Sequence, residues 1–156
     1  MATSTPQLTL SEFQRLYANQ DKAYDYWFGE VIPKAMPTLR HGITQKTVCS
    51  LLDGFGYFTC VEVDLHIHPD WQPRPDGLFV IEILLPDDRW GQVRQKCKNY
   101  ERLTRIKTIY LLDPDSAEGW FWNTARQDTE RIDSLALPCG DRLDLSIIWE
   151  QVEQQI

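Results

Sequence analysis

Leu78-Phe79-Val80-Ile81-Glu82-Ile83-Leu84-Leu85 is an apolar run broken only by one carboxylate near its centre. A continuous apolar segment of this length is the pattern of a strand covered on both faces. An ionised carboxylate enclosed there without a partner costs several kcal/mol, so Glu82 is expected to be protonated, paired with a cation or bound to a metal. The residues that follow narrow the choice. Pro86-Asp87-Asp88 ends the strand and offers a helix cap, a basic amphipathic segment runs to about Arg105, and Lys107 to Leu112 reads as a second buried strand closing at Asp113-Pro114. Strand, helix and strand in one sheet make a right-handed parallel crossover. An acid buried on the first strand of that unit points to a catalytic or metal site.

The rest of the chain is consistent with such a core. Its 156 residues fit a single domain, residues 1–156, with 1–8 as a flexible tail. A hydrophobic content of 42% and an aromatic content of 12% exclude disorder, and no apolar run approaches the length of a membrane span. Met1 to Thr9 lacks the basic and apolar regions of a secretory signal, so a cytoplasmic location with reduced thiols is expected. Cys49, Cys60, Cys97 and Cys139 form no Cys-x-x-Cys pair, which argues against a zinc knuckle or redox motif and suits small apolar residues.

The formal charge of −7 counts against loose binding to nucleic acid, which draws its free energy from displaced counterions. That average hides a local excess. Between Arg89 and Lys107 stand Arg89, Arg94, Lys96, Lys98, Arg102, Arg105 and Lys107, with Glu101 the only acid. A solvated helix face and a phosphate-facing surface are both open readings of this segment.

Along the chain, Thr9 or Ser11 can cap a helix carrying Leu10, Phe13, Leu16 and Tyr17. Tyr24 to Ile32 suggests a short strand containing Gly29-Glu30, and a second helix spans about Leu39 to Leu52 with Ile43, Val48, Leu51 and Leu52 as its stripe. Val61 to His68 alternates cleanly, with Glu62, Asp64, His66 and His68 on the face opposite the apolar residues. Gly119 to Thr124 and Arg131 to Leu137 suggest a peripheral hairpin, and Leu145 to Val152 a closing helix. At about 100° per residue, Trp90, Val93, Cys97, Tyr100 and Thr104 form one stripe of the crossover helix. Lys96 lies at the edge of that stripe, able to reach the sheet, while Lys98 faces water.

Leu10-Thr-Leu-Ser-Glu-Phe, Gly29-Glu30, Leu39-Arg-His-Gly, Arg74-Pro-Asp, Val80-Ile-Glu-Ile-Leu, Pro86-Asp-Asp-Arg, Lys96 with Tyr100, and Tyr110-Leu-Leu-Asp-Pro follow in that order. In order and spacing the chain resembles the Uma-two family of restriction-endonuclease-like proteins over nearly its whole length. The resemblance implies an α/β fold with a mixed central sheet flanked by helices, of the PD-(D/E)XK nuclease type. It also implies a site in which two acids bind Mg2+ (or Mn2+) and a lysine assists phosphodiester hydrolysis. By that likeness Asp76 and Glu82 match the acids, and Lys96 matches a lysine moved from the strand to the helix. Leu84 occupies the usual lysine position. The residue types suit the chemistry, because hard cations prefer carboxylate oxygens and a neighbouring lysine can orient water or steady developing charge.

A second departure from the family is more serious. Only Gly77 to Ile81 separate Asp76 from Glu82, so an extended segment puts their Cα atoms roughly 20 Å apart, too far to share an ion. Pro75-Asp76-Gly77 also has the composition of a tight turn, so Asp76 is either a turn residue or a ligand. If Val61 to Ile67 pairs with the buried strand, Asp64 or Glu62 can stand across from Glu82 and restore a two-carboxylate site. Alternatively, catalysis is lost and Glu82 remains as a relic paired to Lys96.

Glu30 and His41 are possible supporting residues, with an exposed strand glutamate and a structural helix start as their plainer roles. His66 and His68 share a strand face in the manner of metal ligands, which raises a His-ligated metalloprotein as a rival. The expected function is a Mg2+-dependent DNA endonuclease acting as a homodimer, since cutting two strands invites twofold symmetry. Glu82, Lys96, Asp76 and Asp64 are its expected catalytic residues, and Arg89, Arg94 and Lys98 its expected DNA contacts. A non-catalytic protein of the same fold that binds nucleic acid or a partner is the alternative.

Overall fold

The computed structural model describes residues 8–17, 19–20, 24–27, 29–34, 36–59, 78–102 and 106–156. They fall in two compact units, Met1–Met36 and Pro37–Ile156.

In the first unit, helix α1 (Leu10–Tyr17) precedes strands β1 (Tyr24–Trp27) and β2 (Glu30–Pro33). Thr9 opens α1 as a capping box: its Oγ1 accepts from the Glu12 N–H, and the Glu12 carboxylate accepts from the Thr9 N–H at 2.8 Å. The segment expected to be one strand is an antiparallel hairpin in which Tyr24 pairs with Pro33 and Trp27 with Glu30. Gly29, at a φ of 98°, supplies the left-handed backbone at its turn. Helix and hairpin meet through Phe13, Tyr17, Tyr24 and Tyr26, whose rings pack 4.8 to 5.4 Å apart.

The second unit is a mixed α/β layer structure. Strands β3 (Leu78–Ile83), β4 (Ile106–Asp113), β5 (Glu118–Asn123) and β6 (Asp128–Ile132) form one sheet in that order. β3 and β4 are parallel, joined by helix α3 (Trp90–Glu101), and the remaining pairs are antiparallel. Among the described residues the unit also holds helices α2 (Leu39–Gly54) and α4 (Leu145–Glu153) and the small pair β7 (Ser134–Ala136) and β8 (Arg142–Asp144). Among the described residues no helix is long and apolar enough to cross a membrane.

Strand alternation divides the core. Ile83, Tyr110 and Leu112 point to one face and pack with Val48 and Leu52 of α2 and Ile148, Trp149 and Val152 of α4. Leu84, Ile109, Leu111 and Trp122 point to the other, against Val93 and Cys97 of α3. Both faces are therefore covered, as the apolar runs at 78–85 and 107–112 require. Gly119 lets α4 close on the sheet, because a Cβ there would lie 2.6 Å from Leu145 Cδ1.

Several local expectations are corrected. Asp88 does not cap α3; its carboxylate accepts from the Leu85 N–H at 2.7 Å, closing the turn after the strand, and Arg89 is the N-cap without a side-chain bond. α3 ends at Glu101 rather than near Arg105. The hairpin expected at the periphery belongs to the main sheet, with β5 paired to β4 and its partner strand at Asp128–Ile132 instead of 131–137. Cys97 is buried as expected, but Cys139 is exposed: its thiol donates to Asp141 Oδ2 at 2.8 Å and sits 2.5 Å from the Tyr57 hydroxyl.

Candidate active site

Glu82 occupies the face of β3 that α3 covers, directly across from Leu111 of β4. Its side chain is 19% exposed, enough to meet water while most of it remains within the protein. The Lys96 ammonium forms an ion pair with Oε1, and the Tyr100 hydroxyl donates to Oε2 at 3.0 Å. Each carboxylate oxygen therefore has its own donor from α3. The helix delivers both because residues four apart share a face, and the neighbouring Val93 and Cys97 are buried against the sheet. Lys96 thus reaches inward as its position on the helical stripe requires, while Lys98 is exposed.

Cys97 lies behind this group. Burial first, then the negative charges of Glu82 and Glu101, push its thiol up to about 12, so it is a neutral thiol at physiological pH. The other side of α3 is tied to the β5–β6 hairpin. Trp90 packs edge-on against Trp120 at 5.0 Å, Arg94 pairs with Asp128 at 2.9 Å, and the Trp122 indole donates to Glu101 at 2.6 Å. Burial pushes the Glu101 carboxyl up, but hydrogen bonds from Gln127, Trp122 and Thr124 outweigh it and hold the group below its ordinary value.

The other expected site residues are distributed differently. Glu62, Asp64, Asp76, His66 and His68 lie outside the described residues. Glu30 is exposed at the start of β2 in the first unit. His41 is buried in the first turn of α2, its N–H capped by Thr38 Oγ1 at 3.1 Å and its Nδ1 without a hydrogen bond among the described residues. α2 packs on the sheet face opposite Glu82. Arg89 and Lys98 are exposed, whereas Arg94 is engaged by Asp128. Among the described residues no group of three or more His, Cys, Asp or Glu side chains is placed to hold a metal ion.

By helical angle Tyr100 lies on the buried stripe of α3 and is not among the expected catalytic residues, yet it meets Glu82. Its spacing of four residues from Lys96 was the available signal, since whatever Lys96 reaches from α3 lies near Tyr100 as well. Buried Asn99, which accepts from the Gln95 amide at 3.2 Å, had no signal beyond its place in the helix.

No family model matches the chain, and no curated protein is significantly similar to it. Among solved structures it is similar to a crystal structure from Anabaena variabilis described as "a putative nuclease belonging to DUF820", at 20% identity and a TM-score of 0.64. The match covers 93% of this chain and 99% of that one. The two proteins share a fold, a mixed α/β architecture in which the central sheet is flanked by helices.

Proposed function

We propose that the protein is a metal-dependent endonuclease of the PD-(D/E)XK type, related to the Uma-two proteins, that hydrolyses phosphodiester bonds in DNA. The observation that carries this is the meeting of Glu82, Lys96 and Tyr100 on one side of the β3–α3–β4 unit. The fold shared with a protein described as a nuclease adds support.

The donor chemistry suits a hard divalent cation, Mg2+ or Mn2+. Glu82 offers carboxylate oxygen, the donor type such ions prefer, on a side chain that is partly open to water. Asp64 or Asp76 would supply the second carboxylate, with Glu62 a further candidate. A bound divalent ion would supply activated water and neutralise charge on the phosphate. Lys96, released from Glu82, would orient the attacking water or steady charge on the phosphate oxygens. Arg89 and Lys98 would hold the DNA backbone without reading bases, and a homodimer would bring one site to each strand.

Supercoiled and linear DNA incubated with Mg2+ tests the proposal. Cleavage is expected from the wild type and a loss of at least about a hundredfold from Glu82→Ala, as for an essential stabilising group. Cleavage unchanged in the variant sinks the assignment. A second reading, a non-catalytic nucleic-acid- or partner-binding protein of the same fold, is favoured by the full engagement of both Glu82 oxygens by α3. It expects DNA binding without cleavage and no Mn2+ bound at Glu82.

A further inference from the structure

α3 meets the two oxygens of Glu82 with groups of different character. Lys96 is an ammonium on a flexible four-carbon stem, while Tyr100 is a neutral phenol on a rigid, half-buried ring packed against the Leu84, Val93 and Cys97 cluster. An incoming cation competes with the ammonium for the carboxylate and is repelled by it. The phenol has no charge to repel a cation, and its packed ring restricts its own movement.

We propose that Tyr100 is a positioning residue for Glu82: its hydroxyl holds Oε2 so that Oε1 can exchange the Lys96 ammonium for a divalent cation without the carboxylate turning away. This rests on the metal-dependent assignment above. A donor that fixes a ligating carboxylate from outside characteristically changes metal affinity, with losses of about 10- to 100-fold when it is removed.

The test titrates Mn2+ into the full chain, following free Mn2+ by electron paramagnetic resonance, alongside cleavage of supercoiled DNA. Tyr100→Phe, which removes a single hydroxyl, is expected to melt close to wild type and to bind Mn2+ about tenfold more weakly, with turnover at saturating Mn2+ largely retained. Tyr100→Gln keeps a donor on a shorter arm and is expected to fall between the two. In a Glu82→Gln background, Tyr100→Phe should make no further difference. Unchanged Mn2+ affinity in Tyr100→Phe, or equal losses in affinity and turnover that follow a fall in melting temperature, overturns the role of Tyr100 and leaves the nuclease assignment standing. Glu82-dependent Mn2+ binding without DNA cleavage overturns the nuclease assignment, and the affinity ratio still decides the role of Tyr100. Failure of the wild type to bind Mn2+ overturns both.

Discussion

The two faces of the main sheet are built on different terms. Toward α2 and α4, the strands present Ile83, Tyr110 and Leu112 to Val48, Leu52, Ile148, Trp149 and Val152, beside the buried but uncharged side chains of Thr44 and Thr47. Toward α3, the same strands present Leu84, Ile109 and Leu111 together with Glu82, and the covering helix answers with Lys96 and Tyr100. The first face gains stability from apolar area removed from water. The second surrenders part of that gain to hold the charged pair of Glu82 and Lys96 in fixed places.

Five experiments test this contrast. Leu112→Ala, at a fully buried position on the apolar face, should lower unfolding free energy by about 3 kcal/mol in urea titrations. A loss below about 1 kcal/mol there would mean that the α2–α4 layer is not the main source of stability. On the other face, Lys96→Met should cost about 1–2 kcal/mol, because the pair is only partly shielded from water. Adding Glu82→Gln should recover most of that loss; an additive double mutant would show that the charges are not coupled.

Trp122→Phe removes the indole bond to Glu101 and leaves space at an almost fully buried position, and should cost about 1–2 kcal/mol by thermal melting. The same contact predicts a pH effect. Folding lowers the Glu101 pKa from its ordinary 4.5, so its contribution is present above that value and disappears as pH falls through the lower, folded one. Glu101→Gln should therefore flatten part of the acid loss of stability. The smallest effect belongs to Arg94→Ala: its pair with Asp128 is about half exposed, and the change should stay below about 1 kcal/mol in the same melts.

The parts of this arrangement legible in the sequence were those written in local pattern. Glu82 stood out as the one polar residue in a continuous apolar strand, and the helical angle brought Lys96 toward it. β6 was hidden because Asp128–Ile132 is a polar edge strand, specified by pairing with β5 rather than by its own alternation. Its absence made β5 look peripheral, although Trp122 is almost completely buried. Asp88 was misplaced for a related reason: an aspartate before a helix can serve the helix or the preceding turn, and the Leu85 N–H won. Asp64 and Asp76, the rival candidates for a second carboxylate, both lie outside the described residues.

The four-residue interval between Lys96 and Tyr100 makes α3 a common spindle for the acid it serves. The two side chains stand about 6 Å apart along its axis and about 40° apart around it. A small twist of the helix would therefore shift both donors in concert. How steadily that carboxylate is held is thus inherited from how firmly Val93 and Cys97 seat the spindle in its bearing.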